Sequence, residues 1–495
     1  MPQIPFLGQT YPARSLNIAA DRCINFYPEV SPPTAQGEDQ GQGVVLALIG
    51  TPGSQLAYAI ASSVLRGLHV FNGVMFFVAG NKLFSVDTNG TVSSALGTLA
   101  TSISRVFITN NGLAASGAGG NQLYIVDGTA AGYTYNVVTA TFAATSGGVT
   151  GTYLDGYFVT NLPGSMVAVA SDLFDGTTFN ALASSPVSSS PDNLQGVANL
   201  NSQLWMIKEF TSQIWSNNGT PTSLGFPFSP IAGTTMDYGT PAPASIARAD
   251  QALFFLASAR HGDSGKLAGV MMLQGNTPQI ISPPSLNYQL SQFTTVSDAF
   301  GYCRVHEGHS FYVLTFPSVN SGLGATWVYD RSTSMWHEWS TYVTPFQVAR
   351  HFSNCYAYFS GKEYIGDYNT GNIYELGSKI YTDNTLPIVS QRICQHQYDR
   401  RSRNNIFISA LDVVMETGVG DLGLITQTGL VPQAQLAWSN DGGHTYTNDY
   451  LASVGAIGNY RMRLQWRRLG YARDRVFRLS IADPIKKTIL GAYVN

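Results

Sequence analysis

Residues 68 to 90 read LHVFNGVMFFVAGNKLFSVDTNG. An apolar run ends at Phe71, the pair Asn72-Gly73 follows, and a second run spans Val74 to Val78. After the break Ala79-Gly80-Asn81, a third run from Lys82 to Val86 closes on Asp87-Thr88-Asn89-Gly90. Asn-Gly between two apolar runs is a hairpin signal, because both residues tolerate the positive φ of a tight type I′ turn. The stretch is an up-and-down β meander. Such a sheet has two apolar faces and cannot bury both alone.

The plan recurs. An aromatic or apolar doublet inside a strand-like run appears at Phe76-Phe77, Leu113-Ala114, Tyr157-Phe158, Leu204-Trp205, Phe254-Phe255, Phe311-Tyr312 and Tyr356-Ala357. The average spacing of about 47 residues is that of propeller blades. A closing element also repeats, at Leu83 to Asp87, Leu123 to Asp127 and Thr326 to Asp330. We therefore expect an all-β chain: a β-propeller of about seven four-stranded blades over residues 56–384, with Ser184 to Asp192 and Thr220 to Pro230 as inter-blade loops. A row of β-sandwich modules is the alternative, but it would need Pro/Ser/Gly-rich spacers that most repeats lack.

Two regions flank the repeats. Residues 1–55 carry Pro at 2, 5, 12, 28, 32, 33 and 52 and a polar run from Thr34 to Gly43, which predicts an extended N-terminal arm draped over a neighbour. Residues 385–495 predict a compact antiparallel β domain. There Arg461, Arg463, Gln465 and Arg467 share one strand face and Met462, Leu464 and Trp466 the other, and Phe477, Leu479 and Ile481 alternate with Arg478 and Ser480.

Composition narrows the function. Of 495 residues only 12% are charged, while 12% are aromatic and Gly (50) outnumbers Lys plus Arg (27), which excludes a disordered tail, a coiled coil and a polybasic nucleic-acid binder. Residues 1 to 387 hold 14 Lys/Arg against 22 Asp/Glu, whereas residues 388 to 495 hold 13 against 8. The C-terminal domain should meet an acidic partner. Cys23, Cys303, Cys355 and Cys394 lie far apart and predict isolated thiols in a reducing compartment. The start MPQIPFL lacks a basic, long-apolar leader, and no apolar run approaches the ~20 residues of a membrane helix, so export by the standard route and a membrane span are not expected.

No motif carries obvious chemistry. Ser439-Asn-Asp441-Gly-Gly443-His-Thr445-Tyr446 fits the Asp box of sialidase propellers with Tyr in place of Trp, yet it occurs once and outside the repeats, so a structural turn is the better reading. His306-Glu307-Gly308-His309 lacks helical zinc spacing and predicts a solvated turn. Phosphate-cradling and nucleophile-elbow motifs are missing, and neither a cofactor nor a metal is implied. The dense cation cluster is Arg400, Arg401 and Arg403 with Arg461, Arg463, Arg467, Arg468, Arg473, Arg475 and Arg478. Paired with its own acids, such as Asp474 and Asp399, it would be an idle surface. Otherwise it is a docking face, with Arg400, Arg401, Arg403, Arg461, Arg463, Arg467 and Arg468 as the candidate assembly interface. Arg supplies 11 of the 13 cations here, which favours fixed bidentate contacts within an assembly.

A resemblance sharpens the picture. Arg22-x-Ile24-Asn25-Phe26-Tyr27-Pro28-Glu29, Gly50-Thr51-Pro52-Gly53 and Arg66-Gly67-Leu68 resemble the N-terminal signature of the packaged-DNA stabilisation proteins, the tail hub or nozzle subunits of short-tailed bacteriophages. Gln213-Ile214-Trp215 through Gly219, Phe226-Pro227-Phe228, Gly233, Gly239, Ala247 and Ile280-Ile281-Ser282 look like the family's central block. Arg463, Trp466, Arg468, Gly470, Arg473, Arg475, Phe477 and Asp483-Pro484 are similar to its ending. One departure is Gln213-Ile214, where the family often has an acid before the Trp.

The resemblance implies a non-enzymatic virion tail protein, assembled in the host bacterial cytoplasm as a homo-oligomeric ring of six beneath the portal and its adaptor ring. It would bear a tail needle, fibre or tailspike and let double-stranded DNA pass without sequence-specific binding. The charge balance agrees, because each phosphate contact adds affinity and slows passage, and the front part is poor in cations. The competing expectation is a glycan-binding or sialidase-like, glycan-hydrolysing propeller of a phage tail.

Overall fold

The computed structural model describes residues 2–31, 44–60, 64–112, 120–261, 264–344, 347–419 and 431–495. The run Thr34 to Gly43 and the doublet Leu113-Ala114 lie outside them.

Seven four-stranded antiparallel sheets follow one another around a ring, spanning residues 65–98, 107–146, 151–186, 194–230, 247–280, 300–344 and 353–377. The seventh has only three strands of its own, and Gly53–Tyr58 supplies its outer strand, in register Gly53 to Gly377 and Gln55 to Glu375. The first and last blades are thereby closed by a strand that precedes the first blade. Closure removes an open sheet edge that would otherwise template aggregation.

The doublets have a simple cause. In a strand, neighbours point to opposite faces, and each blade is covered on both faces by the next. Phe77 joins a buried cluster with Phe359 and Tyr364 of blade seven, while Phe76 joins one with Leu123 and Tyr133 of blade two and meets the Tyr135 ring there. Leu204 and Trp205, Phe254 and Phe255, and Phe311 and Tyr312 are divided between adjacent inter-blade cores in the same way. Tyr356-Ala357 departs from the pattern, because it falls on the first strand of its blade, Ser353–Phe359. Likewise, Leu123 to Asp127 is a second strand and not a closing one, and Thr220 to Pro230 joins two strands within blade four instead of two blades.

The N-terminal segment is not the irregular arm that its prolines suggest. Gln3–Ile4, Arg22–Ile24, Phe26–Val30 and Val45–Gly50 are strands of the C-terminal domain. One sheet of that domain orders Phe26–Val30, Val45–Gly50, Thr488–Val494, Ala410–Met415 and Leu464–Arg467. The other runs from Arg22–Ile24 through Ser390–Ile393, Val476–Ile481 and Gln433–Ser439 to Tyr450–Ser453. Between them lie Phe6, Phe26, Leu48, Leu411, Trp438, Trp466, Phe477 and Ile489, all buried.

This second sheet does not stop at the domain edge. Ile24 pairs in parallel with Glu338 of blade six, so one ten-stranded sheet crosses from propeller to sandwich. Buried polar groups fasten the junction. The guanidinium of Arg392 donates to the carbonyls of Phe6 (2.6 Å), Gln9 and Arg22 (3.2 Å each) and to Asp21 (3.0 Å). Asn25, at φ 53°, donates to the carbonyls of Ser340 and Val389, both at 3.0 Å. His309 lies between Asp330 (2.7 Å) and Glu29 (2.9 Å). Burial alone would lower its pKa, but the hydrogen bonds and charges of the two carboxylates prevail and raise it to about 9.

Candidate assembly surface

The arginines grouped by sequence separate in space. Leu464–Arg467 is the outermost strand of its sheet, so its far side has no strand partner among the described residues. Leu464 and Trp466 are buried and Arg467 is exposed, as alternation requires. The strand starts only at Leu464, however. Arg461 belongs to the preceding turn and Met462 lies outside the strand, 38% exposed instead of sharing the buried face. Arg463 forms an ion pair with Asp412 on the neighbouring strand, and Arg467 donates to Gln465 at 2.8 Å.

Beside this edge, Ile406–Phe407 and Tyr471–Ala472 form a two-stranded ribbon, with Phe407 directly opposite Tyr471. Their exposures are 72% and 69%. Exposed Arg403, Arg468 and Arg473 flank the ribbon in sequence. Aromatic residues beside arginines are the composition of interface hot spots. Sequence reasoning named the arginines and missed the aromatics, because a short ribbon with one side chain outward has no periodic signature.

Other members of the cluster sit elsewhere. Arg475 is buried, donating to Asn440 (2.8 Å) and the Leu469 carbonyl (3.0 Å) beneath Trp438 and Phe477; burial lowers its pKa to about 10. It is a core strut and not part of a basic surface. Arg400 lines a cavity with Tyr11, Asp21 and His396, against the N-terminal segment, and Arg403 stacks over Tyr398 at 4.7 Å. The expected acid partners are occupied otherwise. Asp474 holds His396 at 2.7 Å, and Asp399 accepts the Arg401 backbone N–H at 2.9 Å and the Ser402 hydroxyl.

The Asp box is a capped turn. Asp441 Oδ1 accepts from the backbone N–H groups of His444 and Thr445 at 3.0 and 2.9 Å. The hydroxyls of Ser439 and Thr445, with these amides, hold its carboxyl well below the usual range. Arg478 stacks over Tyr446 at 4.4 Å. In His306 to His309 only Glu307-Gly308 is a turn, with φ 48° and 89°. Both histidines are buried at strand ends, His306 on Glu363 at 2.6 Å and His309 on Asp330 and Glu29, so the expected solvated turn is half right. Among the described residues no group of three or more His, Cys, Asp or Glu is placed to hold a metal ion, and no helix is long and apolar enough to cross a membrane. All four cysteines are free, three of them buried.

A closed propeller joined through one sheet to a sandwich with a basic, aromatic edge defines a class: an all-β scaffold of two joined domains. Comparison with known families supplies the particular. Residues 23–381 match the model described as bacteriophage P22 Gp10, β-propeller, and residues 400–495 that described as bacteriophage P22 Gp10, β-sandwich. The chain belongs to this family, that of the phage tail hub or packaged-DNA stabilisation protein, and is a structural tail protein. No curated protein matches the chain. Among solved structures, that of the computationally designed Ika8 protein aligns at 9% identity and TM-score 0.35, over 65% of this chain and 100% of its own.

Proposed function

We propose that the chain assembles as a homo-oligomeric ring of six that extends the portal channel. The ring retains packaged DNA, carries a needle, fibre or tailspike at its distal end, and is put together in the host cytoplasm before joining the virion tail. It works without catalysis. In this reading, residues 385–495 with the N-terminal strands are the assembly platform, and Arg461, Arg463, Arg467, Arg468, Arg400, Arg401 and Arg403 contact acidic surfaces of neighbouring subunits or of the portal-adaptor ring.

The observation that carries the proposal is the continuous sheet from blade six into the sandwich. The arginine edge lies on the facing sheet, so a contact made there reaches the continuous sheet, and through it the propeller, across the buried core that the two sheets share. Charge supports it. In residues 1 to 387 burial removes from the surface both cations (Arg66, Lys208, Arg304 and Arg350) and acids (Asp21, Asp127, Asp192, Asp330, Glu363, Asp367 and Asp383), and the balance outside stays acidic. DNA meets few phosphate-binding groups there.

The test is Arg463→Glu with Arg467→Glu, assayed by co-sedimentation with portal-adaptor rings and by electron microscopy of the purified protein. The wild type should give rings with a central pore and bind the adaptor, and the double variant should lose binding at least tenfold while remaining folded. Unchanged attachment would remove the arginine edge from the assembly role.

A further inference from the structure

On the propeller face where the innermost strands begin, blades six, seven and one meet around a cavity of about 300 Å³. Three of its lining residues are arginines: Arg66, Arg105 and Arg350. Arg66 spends its donors on neutral groups, namely the carbonyls of Gly80 (2.9 Å), Thr101 (2.8 Å), Ser104 (2.6 Å) and Ile103, and the Thr101 hydroxyl (2.8 Å). Arg105 donates to the Asn354 side-chain oxygen at 3.0 Å and to the Asn354 carbonyl. Arg350 is 8% exposed, lies over the Tyr368 ring at 3.8 Å, and its Nη1 has no hydrogen-bond partner.

The Phe300 ring is shared by two of these cations, with Arg105 at 3.8 Å and Arg350 at 5.6 Å from its centroid. Like charges held this close, in a largely buried site, repel each other unless an anion joins them. Burial, and behind it the charge of Arg350, pulls the Arg105 guanidinium down to about 10. The same burial lowers Arg66 and Arg350. None of the three makes an ion pair within 4.0 Å among the described residues. The lining contains a single acid, Asp298, whose Oδ2 is taken by the Ser318 backbone N–H at 3.1 Å and by its hydroxyl. Its Oδ1 is buried without a hydrogen-bond partner, and its charge, with that of Asp367 outside the lining, offsets part of the burial of Arg350.

We propose that this cavity is a binding site for a carboxylate, held by the guanidiniums of Arg105 and Arg350 beside the Phe300 ring. The rim selects the kind of anion. A rim bearing Ile103 and Val64, 75% and 41% exposed, suits a carboxylate with an apolar neighbour and not a nucleic-acid backbone. The carboxylate can come from a free small acid or from an acidic side chain of a polypeptide seated on the rim. The site is independent of the arginine edge of the sandwich and of the ring assembly proposed above.

The test titrates the full chain with sodium glutarate against sodium chloride at equal ionic strength, read by thermal shift and calorimetry, and with an array of pentapeptides bearing one Glu among Leu and Gly. Glutarate should raise the melting temperature, and Arg350→Met and Arg105→Gln should each weaken binding about tenfold, the expected loss of one charge-assisted pair. Asp298→Asn keeps an oxygen for Ser318 and should tighten binding about threefold by removing a like charge. This gain separates the proposal from simple loss of folding in the arginine variants. A Glu peptide that binds at least tenfold tighter than glutarate, with its Gln counterpart inactive, assigns the polypeptide source; equal affinities assign the free acid. No binding by any carboxylate, or weaker binding after Asp298→Asn, overturns the site.

Discussion

The propeller and the sandwich both bury some cations as struts and differ in what they leave outside: the propeller a scatter of lysines and arginines (Lys82, Arg248, Arg260, Lys266, Lys362 and Lys379), the sandwich mostly arginines. In the propeller, Arg66, Lys208 and Arg304 are internal struts, bonded to carbonyls or, for Lys208 and Arg304, to the buried acids Asp192 (3.2 Å) and Glu363 (2.9 Å). In the sandwich, three cations are struts (Arg392, Arg475 and Lys487), but Arg400, Arg401, Arg403, Arg461, Arg463, Arg467, Arg468 and Arg473 remain exposed. A count of charges by segment therefore describes the composition of a surface only after the struts are removed. The strut costs much to lose because its partners stay buried and unpaired, and the surface cation costs little.

That contrast can be broken at its strongest point first. Arg392→Met strands Asp21 and three carbonyls and should destabilise by about 3–5 kcal/mol, seen as a lower melting temperature and protease cleavage within residues 2–31. A variant within 0.5 kcal/mol of wild type, the range of ordinary surface changes, would erase the distinction between strut and surface.

Second, closure of the ring depends on Gly53, where a Cβ would lie 2.5 Å from the backbone oxygens of Ile380 and Thr382. Gly53→Val should cost roughly 1–3 kcal/mol and expose the strand Gly53–Tyr58 to hydrogen exchange while the sandwich stays protected.

The third prediction concerns the junction. His309 has its folded pKa raised to about 9, above the ordinary 6.5, so its stabilisation is fully present below pH 6.5 and is lost as pH rises through 9. Because the Glu29 side chain is 43% exposed, the effect is on the order of 1–2 kcal/mol. Wild type should lose this increment of stability between pH 6.5 and 9, and His309→Gln should not. Parallel melting curves for the two proteins across that range would remove His309 from the junction.

Smallest in stability is the exposed pair. Phe407→Ser with Tyr471→Ser should change folding by less than about 0.5 kcal/mol, since neither ring is buried, yet weaken association in sedimentation at least as much as the arginine variants. Unaltered association would confine any assembly role to the charges.

Much of the propeller is legible in the sequence for a local reason. A strand covered on both faces needs two consecutive large apolar residues, and a tight hairpin needs Asn-Gly or its equivalent, so Phe76-Phe77 after Asn72-Gly73 announces a blade. The reading fails where the signal is split across the chain. Gly53–Tyr58 pairs with Ile373–Gly377, and Arg22–Ile24 with Ser390–Ile393, more than 300 residues away, so neither strand is marked by its own neighbourhood. The candidate site divides similarly. Exposed arginines can be nominated from composition, but Arg475 is withdrawn into the core by Asn440 and Leu469, and Phe407 and Tyr471 become neighbours only across a two-residue ribbon.

Alternation, turn chemistry and repeat spacing are written in adjacent residues, and they determined the strand type, the meander and the seven-fold repetition. Which strand seals the ring, how the N-terminal residues join the sandwich, and which cations face solvent were decided by the tertiary structure. These depend on hydrogen-bond partners and burial contributed by segments hundreds of residues apart, and a linear pattern carries no record of such pairings.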